Sequence, residues 1–327
     1  MNYRRLLGPA ALLTLLFSAS LPALADEATG QFERTLQVTG PVDLSVETGS
    51  GDITVRPGTA GTVQIRARIH ARSKLFESLT ATEKVQRIQA NPPIDQVGNI
   101  IRIGKIRDED LRQNVSISYE VVTPATSKLR SSTGSGDQSV EGVEGPVRAS
   151  TGSGNVRISS IRQEVFAESG SGDLDLNSLA GGLRANTGSG NIRAFAITGR
   201  TSAQTGSGDV TLELTESSEV RVQTGSGNAR IRGVRGALAA ETGSGEIEAE
   251  GVPTAPWKLT AGSGDITLHI PESSGFELYA ETGSGTVRIG RPITMQGALR
   301  RDLVRGTVGG GGSLIRLETG SGNIDIR

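Results

Sequence analysis

A carboxylate or amide follows a Gly-Ser-Gly tripeptide again and again along this chain: Asp137, Asn155, Asp173, Asn191, Asp209, Asn228, Glu246 and Asp265. Stacked acids in glycine-rich turns are the raw material of a calcium ladder, because calcium takes several oxygen ligands at once. Calcium-binding repeats of that kind run about nine residues per Gly-Gly-x-Gly-x-Asp unit, so both turns of a coil supply acids. Here only one turn does. Alternate repeats also replace the acid by Asn and add an arginine two places on, as in Asn155/Arg157, Asn191/Arg193 and Asn228/Arg230. The pattern argues against structural calcium at Asp137, Asp173, Asp209 and Asp265.

Other chemistry is thinner still. The serine of Gly-Ser-Gly differs from a nucleophile elbow, which is Gly-x-Ser-x-Gly on a strand-to-helix turn, and a serine repeated eleven times is a structural device. No lysine or helix follows the glycines as in a phosphate loop. The only histidines, His70 and His269, stand about 200 residues apart and read as ordinary surface residues. Paired carboxylates at Asp173/Asp175 and Glu246/Glu248 suggest sugar hydrolysis, but Phe166, Phe195, Trp257, Phe276 and Tyr279 do not gather beside either pair. Trp257, after Pro253 and Pro256, reads as packing over a coil edge. Zero cysteines exclude disulfides and thiolate chemistry. We assign no catalytic, cofactor-binding or metal-binding residue and expect no enzyme.

The elements behind these residues repeat. The first glycines of the motif fall at 49, 134, 152, 170, 188, 206, 225, 243, 262, 283 and 320. Steps of 18 to 21 residues from Gly134 onward, and a final one of 37, mark a solenoid whose coils stack on their neighbours. Within a coil the apolar residues alternate, as at Val156, Ile158, Ile161, Val165 and Ala167, which gives two short strands and two turns. The expected fold is all-β: a parallel β-helix or β-solenoid with 18-residue coils, right-handed by the crossover rule, about 50 Å long. The glycines serve tight corners or close approach of the next coil, and the Thr and Ser hydroxyls form ladders. Small residues at Ala149, Ala167, Ala185, Ala203, Ala240 and Ala280 mark a narrow core edge. On the outer face each arginine should sit between carboxylates of adjacent coils.

The ends depart from the period. Arg4 and Arg5, an apolar stretch Leu6–Phe17 and Ala23-Leu24-Ala25 read as a Sec-type signal peptide over 1–25, cleaved after Ala25. The adjacent arginines also admit twin-arginine export. With no lipobox cysteine and no further apolar span, the expected product is periplasmic, secreted or at the cell surface, with no membrane span. Residues 26–130 should cap the stack, with strands at 62–69, 100–103 and 115–122 and one short helix. That helix carries Leu75, Leu79, Val85 and Ile88 on one face, a capping box at Thr80/Glu83, and a stop at Asn91-Pro92-Pro93. Residues 131–327 form the regular solenoid, interrupted at 291–312. That interruption admits a long loop, a small basic patch or a coil lacking the turn motif, and the 37-residue step favours the coil. The chain stops in a coil strand at Asn323–Arg327, which leaves an open edge for weak tail-to-tail homodimers through the C-terminal coil. A net charge of −1 with interspersed signs argues against nucleic acid.

The recurring motif, as in Thr187–Ile192 and Thr205–Val210, the strand-rich opening before Thr133 and the ending from Gly309 resemble the putative-adhesin family of bacterial β-strand-repeat proteins, related to autotransporter-adhesin head domains. The resemblance implies the solenoid fold and carries no binding or catalytic residue onto this chain. The functional expectation is a non-enzymatic extracytoplasmic β-solenoid, presenting a repetitive polar surface to a protein or glycan of the cell envelope. The alternatives are a periplasmic scaffold polymerising end to end and, more remotely, a polysaccharide-active enzyme.

Overall fold

The computed structural model describes residues 26–74, 77–295 and 300–327. The signal-peptide reading of residues 1–25 and the place of Leu75 lie outside them. The chain folds as a β-solenoid of two long sheets, one of 14 strands and one of 15. Each coil gives one strand to each sheet. In the Gly170 coil, Val165–Ser169 lies in the 15-stranded sheet and, after the turn, Leu174–Leu179 lies in the 14-stranded sheet. Successive coils pair parallel and in register: Val147 faces Val165, which faces Leu183, and Val156 faces Leu174, which faces Ile192.

Period-two alternation is what places the core. Val156, Ile158, Leu174 and Leu176 are buried, and the side chains between them, Arg157 and Asp175, reach solvent. The small residues expected at the core edge align as a column, Ala149–Ala167–Ala185–Ala203, all buried. Trp257 is also interior and not at a coil edge: it sits between Leu238 and Ile315, and its indole N–H donates to the Gly236 carbonyl at 2.8 Å.

The stacking order is not the chain order. Gly49 of the first motif lies directly against Gly134, so the strands Asp43–Thr48 and Ile53–Gly58 form a true coil beside the Gly134 coil. The residues between these coils make the cap. Ile100–Ile103 and Val115–Pro124 add one more parallel layer outside the first coil. Thr62–Ser73 and Asp26–Gln37 then close the 14-stranded sheet with antiparallel strands. Helix α1, Ala81–Ala90, packs on these two strands and starts at Thr80 with the expected capping box to Glu83. A second, one-turn helix, α2 (Glu109–Arg112), was not visible in the sequence pattern. It is N-capped by Asp108 and stands where the other coils carry the Gly-Ser-Gly turn.

The C-terminal end corrects two expectations. Residues 291–312 are not a coil. Ile293–Met295 and Leu303–Val308 pair antiparallel with each other, and the second pairs antiparallel with Phe276–Ser284. Gly309, Gly310 and Gly311, all with φ between 57° and 88°, then reverse the chain. The last coil, Leu314–Ser321 with Ile324–Ile326, slides between the Gly262 and Gly283 coils. Its strands are paired on both sides, so the open edge that motivated tail-to-tail pairing does not exist. The outermost strands here, Val287–Ile289 and Ile293–Met295, are three residues long, too short to template much pairing.

The covered C-terminus makes a definite expectation. Ile324→Pro removes an N–H that donates to Thr286 inside the stack, so it should lower the melting midpoint by several degrees. The wild-type protein should sediment as a monomer over a hundredfold concentration range. An unchanged midpoint together with concentration-dependent dimers that the substitution abolishes would contradict the threaded end.

Candidate functional site

Three linear surfaces run along the stack, and each is built from one position of the repeat. The first is the turn. A Cβ at Gly154 would overlap the Gly136 carbonyl oxygen, and one at Gly172 would overlap that of Gly154; the same relation holds up to Gly322 on Gly264. Close approach of the neighbouring coil therefore selects glycine here. The preceding hydroxyl ties the layers. Thr151 donates to the Gly136 carbonyl at 3.0 Å and accepts from its own Gly154 N–H at 3.1 Å. Ser169 does the same in a coil that has Ser for Thr. The middle serines, Ser153, Ser171 and Ser189, are exposed and make no side-chain hydrogen bond among the described residues, so the expected ladder belongs to the buried position alone.

The second surface is the Asp/Asn column of the 14-stranded sheet. Each side chain accepts from the backbone N–H of the next coil's equivalent residue: Asn155 N–H on Asp137, Asp173 N–H on Asn155 and Asn191 N–H on Asp173, at 2.8 to 2.9 Å. Asp and Asn share this acceptor oxygen, which explains why they alternate freely, and it leaves the carboxylates committed to backbone donors. The bond from Asn191, aided by Arg193, holds Asp173 below the usual carboxylate range. That contribution is present at neutral pH and lost as the pH falls through the lowered value. Arg157 sits between carboxylates of adjacent coils as expected, Asp137 and Asp175, whereas Arg193 pairs with Asp173 and Asp175 of one coil, at 3.1 and 3.5 Å, and Arg230 with Glu248 of one neighbour, at 2.7 Å. Arg230 in turn holds Glu248 below its ordinary value.

The third surface was missed in the sequence and lies on the 15-stranded sheet. Four residues before each turn glycine, the register aligns Arg130, Arg148, Arg184, Arg221, Lys258 and Arg316 in one outward column. Ser45, Phe166, Ser202, Ala239 and Tyr279 fill the remaining places, so no motif coil puts a carboxylate there. Arg148, Arg184, Arg221 and Lys258 are exposed, and none has a carboxylate within salt-bridge distance among the described residues. Arg148 lies over the Phe166 ring at 4.2 Å. Two residues further along each strand runs a column of hydrogen-bonding side chains, including Asn186, Gln204 and Gln223, with Glu168 and Glu241 among them.

Nothing converges elsewhere. His70, on the cap strand Thr62–Ser73, and His269, in a coil, are half-buried, and no cluster of metal-ligating side chains occurs among the described residues. In the cap, Lys84 is buried and pairs with Glu77, whose carboxyl it holds low, while donating to the Gln113 carbonyl at 2.9 Å. Burial pushes the Tyr119 phenol up. Among the described residues no helix is long and apolar enough to cross a membrane.

A family described as Toastrack DUF4097 matches residues 33–212 and again 163–327, which takes in both the cap and the coils. The chain belongs to this family. No curated protein matches this Toastrack chain. It is similar to three solved structures at low identity. One is a putative cell adhesion protein from Clostridium sporogenes ATCC 15579, 12% identical over 91% of this chain and 99% of that one, with a TM-score of 0.23. The others are putative adhesins from Bacteroides fragilis NCTC 9343 (13%, 91% and 97%, TM-score 0.33) and Parabacteroides distasonis ATCC 8503 (10%, 91% and 97%, TM-score 0.35). The Toastrack assignment agrees with the β-solenoid read from the repeat.

One oxygen of each of Asp137, Asp173, Asp209 and Asp265 accepts a backbone N–H of the next coil, and the expectation of no structural calcium there can be tested. Adding EGTA to the purified protein should move the melting midpoint by no more than about 2 °C. A metal bound at a hundredfold excess over its dissociation constant would contribute ~2.7 kcal/mol, and its removal would show as a much larger drop. Such a drop would overturn the hydrogen-bond reading of Asp137, Asp173, Asp209 and Asp265.

Proposed function

We propose that this Toastrack chain is a non-enzymatic, extracytoplasmic rod that presents repetitive side-chain columns for adhesion or another binding interaction. The observation that carries the reading is the outward column of the 15-stranded sheet: a line of cations held in register by the coils. Of these, Arg148, Arg184, Arg221 and Lys258 have no carboxylate partner among the described residues, while Arg130 pairs with Asp43 and Arg316 with Glu318. A rigid frame that repeats one side-chain position every coil suits a ligand met at many points along its length, and weak contacts repeated on one frame add to avidity. An enzyme needs side chains brought together around a reacting atom, and of the paired carboxylates that prompted the hydrolase alternative, Asp173, Asp175 and Glu248 are bound up with arginines or a backbone N–H. Antiparallel strands over both ends of the stack weigh against the end-to-end scaffold, which requires open edges at both ends.

Export is part of the proposal and has its own test. Fractionation of cells expressing the full chain should recover a product beginning at Asp26 in the periplasm, at the cell surface or in the medium. An unprocessed protein retained in the cytoplasm would contradict the reading.

A further inference from the structure

From the charge, spacing and neighbours of the cation column we infer that the 15-stranded face binds a linear acidic polysaccharide laid along the rod axis, with its acid groups on Arg148, Arg184, Arg221 and Lys258. This rests on the reading of the chain as an interaction rod and adds the chemical class of its ligand. On the opposite sheet the coil arginines Arg157, Arg193, Arg230 and Arg232 each have a carboxylate within salt-bridge distance, as Arg157 has Asp137 and Asp175. The four on this face have none among the described residues. An unanswered line of charge on an otherwise balanced molecule is a surface complementary to an anion.

The form of the anion follows from spacing. Coils rise about 4.8 Å, so these four cations, each two coils from the next, stand about 10 Å apart in single file over roughly 30 Å. A nucleic-acid duplex carries one charge per ~1.7 Å of axis and needs a far denser basic face. The adjacent column would also set Glu168 and Glu241 against its phosphates. Single strands are held by stacking bases on open aromatic faces. Phe166 is covered by Arg148, and Tyr279 lies under both Arg305 and Arg316. A sugar chain reverses each of these objections. Its acid groups are sparse enough to match the column. Its hydroxyls both donate and accept, so Asn186, Gln204 and Gln223 can bond them in either sense, and the carboxylates of Glu168 and Glu241 become acceptors.

The probe is alginate, a polymer of uronic acids, titrated against the purified mature protein by calorimetry or sedimentation at low salt. Uncharged dextran and single-stranded poly(dT) serve as comparisons. Wild-type protein should bind alginate, release it as salt rises, and ignore dextran. The triple variant Arg184→Gln, Arg221→Gln, Lys258→Gln removes exposed side chains without ion-pair partners, so it should keep the wild-type circular dichroism and melting. Its affinity should fall about tenfold or more, as expected for three screened ionic contacts. Arg157→Gln on the other sheet should leave binding unchanged. Absence of alginate binding, equal loss in Arg157→Gln, or tighter binding of poly(dT) would overturn the assignment. A correctly exported, folded protein that ignores alginate would sink the ligand class alone, whereas retention in the cytoplasm would sink the rod reading itself.

Discussion

The contact on which this molecule depends is the approach of each turn glycine to the carbonyl of the turn beneath it. No side chain fits between Gly154 and Gly136, or between Gly172 and Gly154. That approach brings one strand pair of every coil into ladder distance of the next, and the buried hydroxyl of Thr151, or Ser169 in its place, then ties turn to turn. The Asp/Asn column adds a second tie on the outer side of the same corner. Three interactions at one corner, all between equivalent residues of adjacent coils, specify register more tightly than the apolar strands can. Val, Ile and Leu interchange along the core with little penalty, and a slipped strand would still find apolar neighbours.

Such a corner also explains the closed ends. A stack of identical layers has no natural stop, and its last layer offers paired donors and acceptors to any passing chain. At one end the chain spends residues 59–127 on an outer layer, the antiparallel strand Thr62–Ser73 and helix α1, with Asp26–Gln37 paired outside them, before returning to lay the Gly134 coil beside the Gly49 coil. At the other it lays the Gly283 coil one layer too far out. It then covers that coil with an antiparallel strand and fills the gap with its own C-terminus. Both excursions end in a coil carrying the full motif, which docks because every motif presents the same carbonyl to the same glycine.

That sameness decides how much could be read in advance. Strand positions, the burial of Val156 and Ile158, the cap at Thr80 and the arginine–carboxylate alternation are local or one-period properties, and they stand in the sequence. The order of the last coils does not. Gly320 fits on Gly262 as well as Gly283 would, so only the uneven steps of 21 and 37 residues hint that something is inserted. Helix α2 has one turn and no apolar face to announce it. The cation column escaped for another reason: Arg130, Arg148 and Arg184 lie 18 or 36 residues apart, and net charge averages them away. Aligning the repeats on their glycines and reading the fourth residue before each would have shown it.

The central claim is that turn glycines such as Gly154 and Gly172, which lack the positive φ of Gly227 or Gly264, are required by a neighbour's backbone and not by chemistry at the serine. Thermal unfolding of Gly172→Ala beside Ser171→Ala tests it most directly, since the two positions are adjacent and only one faces the coil below. Added atoms in a filled site typically cost about 1–3 kcal/mol. Gly172→Ala should therefore lower the melting midpoint by more than about 3 °C, and Ser171→Ala should leave it unchanged. Equal midpoints for the two variants would contradict the account.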